Sequence, residues 1–381
     1  MVIKERKRLI FITGTRADYG KIKSLIKMLE DDSNFEVFIF ATGMHMLSDY
    51  GFTYKEIEKD GFTYIYPFIN QSYDTSMDIA LSNTITGLSF YIEQTEPDAI
   101  IVHGDRLEAL AGAIVGAFNN IRVLHIEGGE VSGTIDESIR HAITKFSHFH
   151  FVANEEAKKR IMQLGEPEEN IFVFGSPDID IMYSDFLPTI EEVKNRYEIP
   201  FENYNILMYH PVTTEVNSIK EHVSFIVDEI LCSEDNFVVI FPNNDEGSKI
   251  IIKEYDRIKN NEHFRIFPSM RFEYFLSLLK SADCMVGNSS SGIRETGIYG
   301  IPTVDIGTRQ NGRYNSEKVS HIIHVEDMES ICDAISNAKN MNVKESSYFG
   351  NGDSDKIFYN IICNSEIWKM NIQKQFIDID F

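Results

Sequence analysis

Short apolar runs, each ending on polar residues and each followed by a helix-length segment, constrain the fold of this chain more than any other feature. The sharpest case lies between Asp98 and Arg140. Ile100, Ile101 and Val102 lead into His103-Gly104-Asp105-Arg106, and Val123-Leu124 leads into His125-Ile126-Glu127-Gly128-Gly129-Glu130. Between them, Leu107–Phe118 is almost entirely small and apolar. Runs that are apolar throughout describe strands buried on both faces, as in a parallel sheet. The strand–helix–strand unit they form is right-handed, and ligands collect beyond the carboxyl ends of its strands. Both strands end on a histidine and a carboxylate, so Asp105 and Glu127 are expected to face one crevice. Capping is enough to explain Asp136, just ahead of the helix expected at Ser138–Phe146. It does not explain two successive His-x-acid strand ends.

The same alternation continues through 381 residues, more than one core usually organises, so two α/β domains with parallel sheets are expected. Leu9–Thr13, Phe35–Thr42, His148–Ala153 and Ile171–Phe174 read as strands of the first. Ile206–Tyr209, Phe237–Phe241, Phe264–Phe267, Cys284–Val286 and Thr303–Ile306 read as strands of the second. Pattern is lost from Phe186 to Tyr204, the expected linker. This places an N-terminal domain at 1–185, a C-terminal domain at 205–354 and a last helix at 355–381. The expected architecture is two Rossmann-like doubly wound domains facing a cleft.

A formal charge of -23 argues against nucleic acid or an anionic membrane as a partner, and requires local arginines for any anionic substrate. Cys232, Cys284, Cys332 and Cys363 are scattered without CxxC spacing, as in a reduced cytoplasmic chain. Leu9–Ile12 is too short for a signal-peptide core, and no run approaches a membrane span. No HExxH or CxxC pattern supports a metal, and no glycine fingerprint supports NAD, so neither metal nor cofactor is expected.

The strand ends of the first half carry Arg16, His45, Asp105, Arg106, Glu127 and Asn154. Those of the second carry His210, Asn243, Ser269, Asn288 to Ser291 and Arg309. Acids and arginines in one half, and neutral hydrogen-bonding groups in the other, suggest chemistry in the first domain and a phosphate-bearing carrier held by the second. The run Gly287-Asn288-Ser289-Ser290-Ser291-Gly292-Ile293-Arg294-Glu295 reads as a strand entering a small-residue turn and a helix, whose N–H groups suit a phosphate. Ser alone there would be a helix cap; Glu295 and Gly307-Thr308-Arg309-Gln310 favour a nucleotide site.

Taken together and in order, TRADYGK, HGDRLEALA, HIEGGE, TIDESIRHAITKFSH, MYHPVTTE, PNND, GNSSSGIRE and GTRQ resemble the hydrolysing UDP-N-acetylglucosamine 2-epimerases that make N-acetylmannosamine for sialic acid synthesis. The resemblance covers essentially the whole chain and implies a glycosyltransferase-B-like fold. It implies that Asp105, Glu127 and Asp136 are the acid/base carboxylates. It further implies that Arg16, Arg106, His210, Asn243, Ser289, Ser290, Gly292, Glu295 and Arg309 form the UDP site, with His210 donating to phosphate during the reaction. UDP-N-acetylglucosamine would be the substrate and UDP a product, in a homodimer or homotetramer. The motifs recognise diphosphate and ribose and say little of the sugar, so a UDP-diacetamido or GDP-linked sugar stays open. A non-hydrolysing epimerase, a glycosyltransferase of the same architecture and an inactive nucleotide-sugar binder also stay open.

Overall fold

The computed structural model describes residues 6–131, 135–184, 187–233, 235–243, 245–314, 319–326 and 330–378. Thr134, Asp185, Phe186 and Asn244, which belong to segments singled out above, lie outside them. The chain forms two compact units, Met1–Glu130 with Asp136–Tyr183 and Tyr348–Phe381, and Val131–Ile135 with Ser184–Ser347.

In the first unit the strands are β1 (Lys7–Thr13), β2 (Phe35–Ala41), β3 (Tyr64–Pro67), β4 (Ala99–His103), β5 (Arg122–Ile126), β6 (Phe149–Val152) and β7 (Ile171–Val173). Among the described residues they make one parallel sheet in the order β3-β2-β1-β4-β5-β6-β7. The chain starts at β1, works outward to β3 and then returns to continue from β4. The switch between β1 and β4 opens a crevice at their carboxyl ends. Ile100, Ile101 and Val102 are buried, as an inner strand of such a sheet requires.

The second unit repeats the plan with β8 (Asn205–Met208), β9 (Phe237–Ile240), β10 (Phe264–Phe267), β11 (Cys284–Gly287), β12 (Thr303–Ile306) and β13 (Ile322–Val325). Their order is β10-β9-β8-β11-β12-β13, again parallel, with the switch between β8 and β11. Each unit is thus a doubly wound α/β sheet. The edge strands β3 and β13 were not anticipated: they are short and partly exposed, and lack the apolar run that marks an inner strand.

The helix Ser354–Ile362 packs in the first unit, where Phe358 and Ile362 are buried with Phe151 and Phe174. Asp180 fixes its start by accepting from the backbone N–H of Ser354 (2.9 Å) and Asp355 (2.8 Å) and from the Ser354 hydroxyl. The chain beyond it is tied down at Trp368, whose carbonyl accepts from Arg122, and at Lys374, whose ammonium caps the carbonyls of Thr144, Lys145 and Ser147. No helix among the described residues is long and apolar enough to cross a membrane.

Candidate active site

β1 ends in a loop that the next helix, Arg16–Glu30, pulls back over the sheet. Thr15 caps that helix by accepting from the Asp18 N–H at 3.1 Å. Asp18 is thereby turned toward the strand ends: Oδ2 accepts from Gly14 N–H at 3.1 Å, and Oδ1 lies 2.8 Å from His103 Nδ1. The other ring nitrogen of His103 lies 3.3 Å from Glu127 Oε2, and Glu127 Oε1 accepts from the Ser176 hydroxyl at 2.6 Å. A row Asp18–His103–Glu127–Ser176 therefore joins the ends of β1, β4, β5 and β7. Burial alone would lower the His103 pKa. The Glu127 charge and the Asp18 contact outweigh burial and hold it at about 9, so the ring is an imidazolium at neutral pH.

Glu127 holds a left-handed backbone, with φ at 64°. Such a conformation costs a non-glycine residue free energy, and it persists where the surroundings fix it. Here Glu127 N–H donates to Phe151 O at 3.0 Å. Gly129 follows closely: a Cβ there would lie 2.3 Å from Ala157 O. Strand end and glycines together aim a buried carboxylate at the crevice.

Asp105, on the loop after β4, pairs with Arg140 of the helix Ile135–Phe146. Arg140 is buried and also donates to Glu130 O at 3.1 Å, so it holds two loops at once. Asp136 lies one turn before Arg140, on the same helix face, where the positive helix end favours an anion. Asp105 and Glu127 thus follow the carboxyl ends of two neighbouring inner strands, and Asp136 opens the helix that comes after β5.

His125 plays the opposite part to His103. It is fully buried, with Nε2 2.9 Å from Gly104 O and Nδ1 3.4 Å from Thr144 Oγ1, and burial pushes its pKa down to about 3. It is a neutral brace for the Asp105 loop. His45 is likewise buried and neutral between Thr13 and Thr53, and Asn154 caps a helix through Ala157 N–H; both serve the fold.

In the second unit, Asn288 at the end of β11 grips the loop after β8. Its Oδ1 accepts from His210 N–H at 2.6 Å and its Nδ2 donates to His210 O at 2.9 Å. The Asn288 carbonyl accepts from Arg309 Nη1 at 3.1 Å and Gln310 Nε2 at 2.6 Å. His210 Nδ1 accepts from Asn243 N–H at 3.0 Å, which puts the ring proton on Nε2. Burial first, and the Arg309 charge second, keep His210 well below its ordinary pKa. His210, Asn243, Asn288 and Arg309 are therefore one network.

The serine turn departs from expectation. Ser290–Gly292 is a 3₁₀ turn, and the helix starts only at Glu295 and ends at Tyr299. The N–H groups of Gly292, Ile293 and Arg294 bond back to Ser289 and Ser290, and Ser289 Oγ accepts from Ser291 N–H. Gly292 packs against Thr303, where a Cβ would lie 2.7 Å from Cγ2. This stretch therefore presents a tight turn around Ser289 and Ser290 and a short helix, not the long helix dipole expected. Glu295 is buried, with Oε1 3.4 Å from Ser291 Oγ.

Arg16 and Arg106 already have carboxylate neighbours: Arg16 Nη2 is 2.7 Å from Glu56, and Arg106 Nε is 3.5 Å from Glu108. Asp18, Ser176 and Arg140 complete the geometry but were not assigned from sequence, and Asn288 was singled out there only as a strand-end group. The signals were present. Asp18 and Arg140 lie within motifs already singled out, Ser176 follows β7 as Glu127 follows β5, and Asn288 opens the serine turn.

Comparison with known proteins bears on the family and the fold. A model of the UDP-N-acetylglucosamine 2-epimerase family matches residues 27–363. The UDP-N-acetylglucosamine 2-epimerase of Neisseria meningitidis serogroup B is 46% identical over 98% of this chain and 100% of its own length. The UDP-N,N'-diacetylbacillosamine 2-epimerase (hydrolyzing) of Legionella pneumophila is 34% identical over 93% of this chain and 95% of its own. The crystal structure of the Methanocaldococcus jannaschii UDP-GlcNAc 2-epimerase in complex with UDP-GlcNAc and UDP superposes with a TM-score of 0.80. It covers 93% of this chain and 99% of that one at 22% identity, a likeness of fold. Matched by the family model over most of its length and by a relative 46% identical across 98% of it, this protein belongs to the UDP-N-acetylglucosamine 2-epimerase family.

Proposed function

We propose that the chain is a hydrolysing 2-epimerase that converts UDP-N-acetylglucosamine and water to N-acetylmannosamine and UDP, supplying sialic acid synthesis in the cytoplasm. The observation that carries this reading is the pair of carboxylates at the carboxyl ends of neighbouring strands, Asp105 held by Arg140 and Glu127 held between His103 and Ser176. Inverting C2 requires a proton to leave one face and another to arrive on the opposite face, so one acid/base group is not enough.

In the first half the C1–O bond breaks, UDP leaves with the bonding pair, and a carboxylate takes the C2 proton, giving 2-acetamidoglucal. In the second half a water oxygen bonds to C1, its proton passes to a carboxylate, and a proton returns to the opposite face of C2. Asp105 and Glu127 serve the elimination, and Asp136 supports the addition. A sugar C–H is a weak acid, so stabilising the leaving diphosphate is the main electrostatic task. Arg16, Arg106, Arg309, the Ser289–Ser290 turn and the His210 Nε2–H supply it, with Asn243, Gly292 and Glu295 completing the UDP site. No step calls for a metal or cofactor.

A second reading, the same hydrolysis on a 2,4-diacetamido sugar, is favoured by the Legionella relative. Proton NMR of the protein with UDP-N-acetylglucosamine in D₂O separates the readings. Free UDP and N-acetylmannosamine deuterated at C2 are expected. Epimerised UDP-sugar without hydrolysis would refute the hydrolytic branch. No reaction, with turnover of a diacetamido sugar, would move the substrate assignment.

A further inference from the structure

One buried carboxylate beside these strand ends, in the first turn of the helix after β4, has no part in the reaction scheme. Glu108 is 2% exposed, and neither Oε1 nor Oε2 has a hydrogen-bond partner among the described residues. Its ionic neighbour is Arg106, with Nε 3.5 Å from Oε2. Two glycines, one after β1 and one after β2, make the room it occupies. A Cβ on Gly14 would lie 2.6 Å from the Glu108 carboxyl carbon, and one on Gly43 would lie 2.5 Å from Oε1. Gly43 also needs the left-handed region, with φ at 62°.

A buried carboxylate without hydrogen bonds is costly to keep unless a charge beside it depends on it. Arg106 is such a charge. Its long side chain has many rotamers, and a phosphate-binding arginine gains most when its planar fork is already oriented. We propose that Glu108 is a positioning residue: it faces the Nε edge of Arg106 and fixes the guanidinium so that the Nη edge meets the diphosphate in one orientation. Gly14 and Gly43 are kept small to seat that carboxylate. This rests on the reading of Arg106 as a diphosphate contact.

Glu108→Gln keeps the volume and removes the charge. Calorimetry with UDP is expected to show an affinity about tenfold weaker, with KM for the nucleotide sugar rising in parallel and kcat changing less than about threefold. Arg106→Lys is expected to weaken UDP binding too, and Glu108→Gln should add nothing in that background. Additive losses would overturn the proposal. So would a raised KM with unchanged UDP affinity, which would make Glu108 a reader of the sugar. A third measurement needs neither the Glu108 variant nor UDP binding. In the nucleotide-free wild type, the Arg106 Nε–Hε resonance, assigned by its loss in Arg106→Lys, should be sharp and slow to exchange with water. A resonance averaged like that of an exposed arginine would overturn the proposal. Failure of the wild type to bind UDP would instead strike the diphosphate reading, and the resonance would still decide whether Glu108 holds the arginine.

Discussion

His103 Nε2 lies 3.3 Å from Glu127 Oε2, so the histidine that closes β4 meets the acid that closes β5. A pair of neighbouring parallel strands thus presents an imidazolium and a carboxylate side by side at their carboxyl ends.

The His103 pKa is raised to about 9 against an ordinary 6.5. Below 6.5 the ring is charged in folded and unfolded chains alike, and the stability from its ion pairs is complete. As pH rises from 6.5 to about 9 the unfolded chain loses this proton first, and that stability fades. Urea midpoints of wild type and His103→Gln should therefore lie well apart at pH 6 and converge toward pH 9 or above. A gap that stays constant over this range would show that the ring carries no stabilising charge.

Asp105→Asn and Glu127→Gln should each lower kcat by roughly 10² or more while the fold persists. Near-wild-type turnover in either folded variant would reduce that residue to a helix cap or loop anchor. Steady-state assays alongside circular dichroism decide it.

Arg140→Gln removes the partner of Asp105 and the donor to Glu130 O. Loss of one member of a buried pair typically costs about 3–5 kcal/mol. Part of the Asp105 side chain is exposed (22%), so the lower end is expected here, together with a fall in kcat from the misplaced acid. Chemical denaturation that finds less than about 1 kcal/mol would show the pair to be ordinary surface salt.

His210→Gln should cost roughly 10²–10³ in kcat, the usual effect of losing one donor to developing negative charge. Because His210 stays neutral well below its ordinary pKa, the kcat/KM profile should show no His210 limb near pH 6.5. A limb there that disappears in His210→Gln would contradict the neutral Nε2–H assignment.

Lys374→Met tests the tie between the last residues and the sheet. Glu166 is buried and takes Lys145 at 2.7 Å, Lys374 at 2.6 Å and His150 at 3.2 Å. Burial pushes the Glu166 pKa up, but the His150 and lysine contacts prevail and hold it at about 2. That stability is present above 4.5 and is lost as pH falls toward 2. The variant should lose about 3 kcal/mol at pH 7 and become less sensitive to acid. An unchanged melting curve would show the strap to be idle.

The inner strands were legible in the sequence because a strand buried on both faces must be apolar throughout, and the residues at its carboxyl end must be the first polar ones. That rule alone placed Asp105, Glu127, His210 and Arg309 at the ends of β4, β5, β8 and β12, and left β3 and β13 unseen at the edges. Which groups share a proton or a charge was settled only by folding. Asp18 reaches His103 across 85 positions, Ser176 reaches Glu127 across 49, and Asn288 reaches His210 across 78. The paired His-x-acid strand ends look alike as text. Yet His103, between two carboxylates, holds its proton to about pH 9, whereas His125, buried against a carbonyl, gives its proton up by about pH 3. Order along the chain determines which residues arrive at the strand ends. Their charge depends on burial and on neighbours brought from distant segments, which the tertiary structure alone decides.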